Sequence, residues 1–366
     1  MWIESLSLSD FRNFHRQELS FDKKINLFVG DNAQGKTNIV EALHLLSTTK
    51  SFRTNLEADL ISWSAEKAKV SGVVGSSEIK ILLSREYKKT LVNNREKNKS
   101  FLIGLFPAVL FSPESLTITS GSPEKRRRFL DQILSTTNKN YLFSLSRYFK
   151  VVKIRNRLLW LSKEGKNQNL EPWDEQLVNL GSFIWLQRLS FVHEANALLK
   201  KIGPKLIGSE IRVLYKPFSE RLTDLKEIKK FMERQLPKHA RGDLEKGVTS
   251  FGPHRDDFRI LLEIFGEDRF IEEDVCTFGS RGEQRIATLA LKLVEVDFIE
   301  KNLGERPTLL LDDVLSEFDK KNREQILKTL PKQQSIITAT SVDLMPRELV
   351  ENVKIFEVSK GTVTEK

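Results

Sequence analysis

The sequence predicts an α/β fold in which one lobe is split along the chain and a mainly helical second lobe is inserted into it. Strand-like alternation of apolar and polar residues occurs towards both ends of the chain. Between these ends, from Ser122 to about Gly203, apolar residues recur at helical spacing. We therefore expect residues 1–120 and 246–366 to form the α/β lobe and residues 121–245 to form the helical lobe.

Individual elements follow from the same periodicities. Alternation predicts strands at 3–8 and 79–83, the second of them ahead of a turn at Asn93 and Asn94. Further strands are predicted at 211–215 and 258–265, with a βαβ-like arrangement from 308 to 358. In the helical middle, one buried helix face is predicted from Leu142, Leu145, Phe149 and Val152.

Composition limits the class of protein. Lys and Arg outnumber Asp and Glu by 59 to 50, a net charge of +9, which favours an anionic partner such as nucleic acid although many basic proteins bind none. Cys276 is the only cysteine, which excludes an intramolecular disulfide and a Cys-rich zinc site. Residues 1–5 do not resemble a signal peptide, and the apolar stretch 101–111 is too short to span a bilayer. We expect a soluble cytoplasmic protein with no membrane partner.

A glycine-rich segment follows the pattern G-x-x-x-x-G-K-[ST], in which backbone N–H groups and a helix N-terminus bind phosphate. Its residues are Gly30, Asp31, Asn32, Ala33, Gln34, Gly35, Lys36 and Thr37. The apolar run 25–29 before it predicts a buried strand, and apolar residues at helical spacing follow it. We expect this P-loop to bind ATP, with Lys36 at the β- and γ-phosphates and the Thr37 hydroxyl on Mg²⁺.

An acidic strand end supplies the second part of such a site. The apolar run 308–311 predicts a buried strand that ends at Asp312 and Asp313. Ligands bind at the carboxyl edge of parallel sheets, where these two carboxylates would lie beside the P-loop. We expect Asp312 to hold Mg²⁺, directly or through water, and Asp313 to polarise an attacking water. Lys36, Asp312 and Asp313 are therefore the predicted catalytic residues.

The segment 278–285, FGSRGEQR, indicates the class of ATPase. Ser280 and Gly282 precede a helix predicted at 286–298, and such a helix N-terminus is a second anion site, with Ser280 as its cap. In its order among the motifs the segment resembles the signature loop of ABC ATPases, and residues 316–319 resemble the D-loop. The resemblance implies an ABC/SMC-head-like P-loop ATPase lobe in which Ser280 and Gly282 contact nucleotide held by a second chain.

Two positions depart from the ABC pattern. Glu283 stands at the position of the signature glutamine, and it adds negative charge near a phosphate unless Arg281 or Arg285 neutralises it. The strand containing Thr338 and Thr340 has no histidine where ABC transporters have a switch histidine, so one of these hydroxyls is expected to contact the γ-phosphate. Both departures predict slow turnover, as in a switch.

Over essentially the whole chain, the motifs resemble those of the RecF family, bacterial recombination mediators related to SMC heads. The segments that match are 10–14, 30–41, 51–53, 121–131, 252–257 and 279–285. The resemblance implies a helical lobe in place of a long coiled coil, ATP-dependent DNA binding, and a homodimer that sandwiches nucleotide. It also implies a weak DNA-stimulated ATPase that acts with RecR and RecO in loading RecA at gaps, in repair and the SOS response.

Some segments leave two interpretations open. Residues 125–128, KRRR, either bind phosphate or form a solvated face paired with Glu124 and Asp131. His254, in the segment 252–257, belongs either to a network at the site or to an ion-paired turn before a strand, and it is a poor metal ligand. Other candidates for contact with DNA or nucleotide are Arg12, Arg16 and Arg53. The aromatic residues expected in the core are Phe101, Phe106, Phe111 and Phe129.

Two other classes of protein share parts of this pattern. A nucleotide-binding subunit of a transporter, or of another ABC/SMC-type assembly, would have the same ATPase motifs, but a transporter subunit would also have a switch histidine and a shorter helical region. A structural SMC relative would show long heptad arrays. The helical middle here is interrupted at Gly165, Pro172 and Gly181. The sequence therefore favours an ATP-controlled DNA-binding protein.

Overall fold

The computed structural model describes residues 2–166, 168–216, 222, 224–265, 270–318, 320–327, 330–344 and 353–366. The chain forms two compact units, one composed of Met1–Leu116 with Thr288–Lys366 and the other of Thr117–Ala287. The first unit is therefore split in sequence around the second. We retain residues 121–245 as the proposed extent of the helical lobe; the second unit also includes the sheet and turns up to Ala287.

The elements are numbered in chain order over the described residues. The strands are β1 (Ile3–Phe11), β2 (Phe14–Ser20), β3 (Ile25–Val29), β4 (Lys67–Val74), β5 (Ser77–Ser84), β6 (Lys88–Val92), β7 (Arg95–Glu96), β8 (Ala108–Phe111), β9 (Ile211–Lys216), β10 (Asp257–Phe265), β11 (Phe270–Asp274), β12 (Thr308–Asp312), β13 (Ser335–Ala339), β14 (Val353–Ser359) and β15 (Thr362–Glu365). The helices are α1 (Lys36–Thr48), α2 (Lys99–Leu102), α3 (Thr117–Ser120), α4 (Pro123–Thr137), α5 (Lys139–Lys163), α6 (Glu171–Leu206), α7 (Leu225–Lys246), α8 (Arg281–Leu303) and α9 (Lys320–Leu327). None of the described helices is both long enough and apolar enough to cross a lipid bilayer.

A largely parallel sheet lies at the centre of the first unit, in the order β15-β14-β3-β13-β12-β8. Strand β3 pairs in parallel with β13 and β14, and β12 pairs in parallel with β13 and β8. Every residue of β12 and β13 is buried, as expected for a parallel sheet covered on both faces. Only β13 separates β3 from β12, so the loop after β3 and the residues that end β12 meet at one sheet edge.

The second sheet of this unit is antiparallel, in the order β2-β1-β4-β5-β6-β7. Strands β1 and β5 confirm the two strands predicted from alternation, and β6 lies between β5 and the predicted turn. Asn93 and Asn94 have φ of 49° and 63° and join β6 to β7 through the Val92–Arg95 pair. Two consecutive residues with positive φ form the hairpin turn that matches the twist of paired strands.

Helix α1 packs on the core of this unit through Ile39, Val40, Leu43 and Leu46, which confirms its predicted apolar face. In the same core, the rings of Phe28 on β3 and Phe356 on β14 stack with their centroids 4.6 Å apart. Burying side chains of this size stabilises the fold by about 1.5–3 kcal/mol each. The start of α1 is therefore fixed relative to the parallel sheet.

The second unit contains α4, α5, α6 and α7 and a three-stranded sheet in the order β11-β10-β9. Helices α4 to α6 confirm the helical middle, and β9 and β10 confirm the strands predicted at 211–215 and 258–265. The sequence did not identify α7 as a separate element. Its buried residues are few, charged residues separate them, and Pro237 lies inside the helix.

Two predictions about aromatic residues are wrong. Phe149 was expected on the buried face of α5 and is 48% exposed, and Phe101 is 46% exposed. Val152 is buried as predicted, and it shares its face with Tyr141, Tyr148 and Arg155, since a spacing of seven residues is close to two helical turns. Phe149 follows Tyr148 and therefore points about 100° away from that face. The remaining expected core residues, Phe106, Phe111 and Phe129, are buried.

Candidate functional site

The predicted P-loop joins the end of β3 to the start of α1 in the first unit. A Cβ atom on Gly30 would lie 2.3 Å from the carbonyl oxygen of Val358, so the loop approaches β14 too closely for any side chain there. Gly35 caps α1 with φ of 121°, a conformation that residues with side chains rarely adopt. The two glycines of the motif are thus required by the backbone.

Lys36, at the start of α1, is buried, with 4% of its surface exposed. Its Nζ donates hydrogen bonds to the carbonyl oxygens of Gly30, at 2.6 Å, and Asp31, at 2.9 Å. The N-terminal N–H groups and the positive dipole end of α1 are at the same loop. The loop therefore combines a held ammonium group with backbone donors, which is the composition of a phosphate site.

A chain of hydrogen bonds joins the P-loop to the end of β12. The Thr37 hydroxyl donates to Asp312 Oδ1 at 3.0 Å, and the Thr338 hydroxyl donates to the same oxygen at 2.9 Å. Thr338 in turn accepts a hydrogen bond from the Asp313 N–H at 2.9 Å. Thr37 and Asp312, the two predicted Mg²⁺ ligands, are thus in contact. Of the two threonines proposed to contact the γ-phosphate, Thr338 takes part in this chain of hydrogen bonds and Thr340 is exposed.

Burial controls the ionisation of Asp312. It raises the pKa of this carboxyl to about 6, and the nearby charges of Asp313 and Glu114 act in the same direction. The hydrogen bonds from Thr338 and Thr37 oppose this rise. No cationic side chain of the described residues forms an ion pair with Asp312. A cation bound beside Asp312 would stabilise the ionised carboxylate.

The P-loop is also held by residues that the sequence did not assign. Asn13 Nδ2 donates to the Gln34 carbonyl oxygen at 2.9 Å, and Asn38 Nδ2 donates to Asn13 Oδ1 at 2.8 Å. The N–H of Lys360, in the turn between β14 and β15, donates to Gln34 Oε1 at 2.7 Å. Asn13 lies in the matched segment 10–14, but nothing in the local sequence indicates its contact with Gln34.

Glu41, one turn after Thr37 on α1, is fully buried and pairs with two of the candidate arginines. Arg12 binds both of its carboxylate oxygens, at 2.8 and 2.7 Å, and Arg53 Nη1 lies 3.5 Å from Oε2. Arg16 instead pairs with Glu18 at 3.3 Å, and both of these side chains are exposed. Arg12 and Arg53 are thus fixed beside α1, and their contact with nucleotide or DNA stays a prediction.

The predicted signature loop lies in the second unit, and its helix starts earlier than expected. Helix α8 begins at Arg281, five residues before the predicted start at Ile286. The Ser280 hydroxyl accepts from the Glu283 N–H at 3.3 Å, and Glu283 Oε2 accepts from the Ser280 N–H at 2.7 Å. This reciprocal pair is a capping box. Glu283 thus has a local structural role that the sequence interpretation missed, and Ser280 and Gly282 are exposed beside it.

The segment that resembles a D-loop begins after Asp313. Asp313 has φ of 53°, in the left-handed region, and the Ser316 hydroxyl donates to its carbonyl oxygen at 2.8 Å. This bond fixes the turn that follows the acidic strand. Asp319, the last residue of the segment, lies outside the described residues.

The basic segment 125–128 lies in the first turns of α4, as predicted. Arg126 is buried and forms a bidentate pair with Asp257, at 2.7 and 2.9 Å, which raises the pKa of the guanidinium. Arg128 pairs with Glu124 at 2.6 Å, in line with the solvated-face interpretation. Asp131 does not take part, because it binds Arg188 at 2.7 Å. At least Arg126 is therefore a structural residue.

The segment 252–257 forms part of a buried network whose members belong to the second unit. Asp256 accepts from the ring N–H of Trp185 and the hydroxyl of Tyr215 and pairs with Arg188 at 3.3 Å. His254 contacts the Tyr148 hydroxyl through Nδ1 at 2.8 Å and the Thr249 carbonyl through Nε2 at 3.0 Å. Burial lowers the pKa of His254 to about 4, so the ring is neutral at physiological pH. This arrangement is an ion-paired turn leading into β10.

Comparison with protein families places the chain among known proteins. Residues 2–364 match the RecF/RecN/SMC N-terminal domain. The chain is 39% identical over 373 residues to the DNA replication and repair protein RecF of Clostridium novyi (strain NT), with both chains fully covered. It is 36% identical to RecF of Bacillus subtilis (strain 168), covering 99% of this chain and 100% of that protein.

Solved structures agree with these relatives. The recombination mediator protein RecF with ATP, of the RecFOR pathway, superposes with a TM-score of 0.90 at 32% identity and covers 100% of this chain and 97% of its own. An Smc head domain from Pyrococcus furiosus superposes with a TM-score of 0.56 at 18% identity, over 100% of this chain and 96% of that one. The second likeness concerns the fold alone, and it confirms the predicted head-like α/β architecture.

Proposed function

The chain belongs to the RecF family of DNA replication and repair proteins, and from this premise we propose that it is an ATP-dependent DNA-binding protein of recombinational repair. It acts in the cytoplasm as an ATP-driven dimer clamp, by which we mean two chains closed on DNA at gaps or single-stranded regions. RecR and RecO are its proposed partners in RecA loading and SOS induction. ATP hydrolysis, stimulated weakly by DNA, resets the clamp.

One observation supports this function more than any other: the hydrogen bond between Thr37 and Asp312. It joins residues distant in sequence, one beside the buried ammonium of Lys36 and the other at the carboxyl edge of the sheet. Backbone N–H groups of the loop and the end of α1 supply the remaining donors for a triphosphate. A P-loop that only stabilises a turn needs no carboxylate at this position.

The oxygen donors also suit Mg²⁺. Among the described residues no group of three or more His, Cys, Asp or Glu side chains is arranged to hold a metal. Mg²⁺ does not require one, because it typically takes one or two protein oxygens and fills its shell with water and phosphate oxygens. Thr37 and Asp312 are the residues that would hold it, and the ion supplies positive charge to the phosphates. Asp313 is assigned to polarise the attacking water.

Dimerisation follows from the second anion site. Ser280 and Gly282 are exposed at the N-terminus of α8, where a partner chain has access to them. We assign them to the nucleotide held by the P-loop of the partner. In a two-fold symmetric pair each chain contributes one P-loop and one signature loop, so two nucleotides are enclosed together. ATP then favours the closed pair through its γ-phosphate, and ADP does not.

The P-loop assignment is tested by Lys36→Met. Removal of the ammonium should weaken ATP binding at least about a hundredfold, since charge-assisted bonds to phosphate are lost. Equilibrium binding of a fluorescent ATP analogue measures the loss, and circular dichroism checks the fold. Wild-type affinity in this variant would show that the loop is not the nucleotide site.

The dimer is tested by Ser280→Arg. The larger side chain should block closure, while each chain still binds ATP through Lys36. Sedimentation of the wild type and the variant with ATP, with ADP and without nucleotide measures the effect, and Lys301→Arg at the other end of α8 is the control. A wild type that stays monomeric with ATP at high protein concentration contradicts the clamp.

A further inference from the structure

Helix α5 of the second unit has an exposed face that contains both aromatic and basic side chains. The exposed aromatic residues are Phe143, Phe149 and Trp160, at 52%, 48% and 45% exposure. The exposed basic residues between them include Arg147, Lys150 and Arg157. We call these six residues the α5 stripe. Helix α5 contains no Asp or Glu, so the stripe has no negative charge of its own.

The six residues share one side of the helix. Phe143, Arg147, Lys150 and Arg157 follow each other at i, i+4, i+7 and i+14, which places them in one row. Phe149 and Trp160 lie about 100–120° around the helix from Phe143, both on the Arg157 flank of that row, so the six side chains together cover just under half of the helix circumference. The opposite face, with Tyr148 and Arg155, is buried. At a rise of about 1.5 Å per residue the stripe is about 26 Å long.

The charges of the stripe are available to an outside partner. Arg155, on the buried face, is paired with Asp174 at 2.6 Å and Asp243 at 2.7 Å. Arg147, Lys150 and Arg157, by contrast, form no ion pair with any residue that the structure describes. Arg157 lies over the Trp160 ring, 4.6 Å from its centroid, which orients both groups at the surface.

We propose that the α5 stripe binds single-stranded DNA, with phosphates on the basic residues and unpaired bases stacked on the aromatic rings. Grooves that bind single strands without sequence preference combine these two features. The bases of a duplex are already stacked on each other and are not available to such rings. Lysine is instead depleted at the core of protein interfaces, whereas Lys150 lies within the basic row here. The inference rests on the proposed function, in which DNA is the partner. It adds which surface of the protein binds DNA and that the bound DNA is single-stranded.

The test compares binding of a labelled oligothymidylate and a duplex, in ATP, by fluorescence anisotropy at several salt concentrations. The double variant Arg147→Gln/Lys150→Gln should lower the slope of log affinity against log salt by about 1.4 for the single strand, at about 0.7 per lost phosphate contact. Trp160→Ala should weaken single-strand binding between about fivefold and a hundredfold, as expected for one stacked base. Trp160→Phe retains a ring and should bind nearly as well as the wild type.

Two controls separate this surface from general charge or aromatic effects. Lys200→Gln/Lys201→Gln removes two exposed lysines of α6, and Trp63→Ala removes a fully exposed tryptophan of the first unit. Both should leave single-strand affinity and its salt slope close to the wild type. Since every changed side chain is exposed, thermal denaturation should show no loss of folding.

The outcomes distinguish this inference from the proposed function. A wild type that binds neither DNA in ATP refutes the proposed function itself. A wild type that binds, together with stripe variants that bind the single strand equally well, overturns only the inference. Equal losses in the stripe and control variants also overturn it.

Discussion

Two buried aspartates, one in each unit, have similarly raised pKa values but differ in the groups that surround them. Asp312 in the first unit and Asp256 in the second are both at most 5% exposed, and burial raises the pKa of each to about 6. Asp256 has a cation in its own unit, because Arg188 lies 3.3 Å away and opposes the rise in pKa. Among the residues that the structure describes, Asp312 accepts hydrogen bonds from two threonine hydroxyls and has no ion-pair partner.

The difference separates a structural carboxylate from a candidate ligand. The network around Asp256 is complete, since Trp185, Tyr215 and Arg188 supply its donors. The ionised form of Asp312 has no cation among the described side chains, and it lies at a sheet edge beside the P-loop. A buried charge without a partner is unfavourable, so such positions mark sites where a bound ligand supplies the missing opposite charge.

Replacing Arg188 by Leu should have the largest effect, because it leaves both Asp256 and Asp131 without the arginine with which they form ion pairs. Breaking a buried ion pair by removing one partner destabilises a protein by about 3–5 kcal/mol. Urea denaturation of the purified chain measures the free energy of unfolding. As a control, Arg212→Leu breaks an exposed pair with Glu272 and should change that free energy by at most about 1 kcal/mol. Equal stability of the Arg188 variant and the wild type would show that the network does not stabilise the second unit.

Asp312→Asn, unlike Arg188→Leu, should leave the stability of the protein intact and lower its activity. Without nucleotide, the free energy of unfolding should stay within about 0.5 kcal/mol of the wild type or increase, since the variant removes a buried charge that lacks a cation. Mg²⁺-dependent ATP hydrolysis should fall at least about a hundredfold, because a metal ligand is lost. Denaturation and steady-state phosphate release test the two halves. Undiminished Mg²⁺-dependent nucleotide binding in this variant contradicts the Mg²⁺ assignment.

Asp313→Asn should have a smaller effect, confined to turnover. Its side chain accepts no hydrogen bond from Thr37, so ATP affinity should match the wild type. Hydrolysis should slow at least about tenfold, as expected when the group that positions water is neutralised. Single-turnover kinetics together with equilibrium ATP binding measure both quantities. A variant that hydrolyses ATP at the wild-type rate removes Asp313 from the catalytic set.

The smallest expected effect concerns His254. Because its folded pKa is about 4, below the usual 6.5, the unfolded chain binds the proton more readily and stability falls as pH drops from 6.5 towards 4. His254→Gln keeps one donor and one acceptor but does not titrate. Between pH 7 and pH 6 the wild type should therefore lose about 0.7 kcal/mol more stability than the variant. Identical profiles for His254→Gln and the wild type would contradict the neutral-histidine assignment.

The sequence predicted the elements of the site better than their contacts. The pattern of Gly30, Gly35, Lys36 and Thr37 located a loop between a strand and a helix, because that geometry requires those residue types. It did not reveal Asn13 or Lys360, which hold Gln34 from distant parts of the chain. It also gave no sign that Thr338 binds Asp312 and Asp313, since a hydroxyl on a buried strand is compatible with many partners.

By itself the sequence determined the fold class, the split of the α/β lobe around a helical insert, and the position of a glycine-rich loop and an acidic strand end. These features depend on local periodicity and on residues whose backbone requirements are specific, so they can be recognised without knowledge of the partners. Only the tertiary structure decided which charges are neutralised inside the chain. Arg126 and Arg128 are adjacent in a basic run, yet one is buried against Asp257 and the other pairs with Glu124 at the surface. Phe149 and Tyr148 are adjacent in the sequence, yet Tyr148 is buried and Phe149 is exposed. The reason is that burial and pairing depend on how elements pack against one another, and a one-residue change in helix phase turns a core position into a surface one.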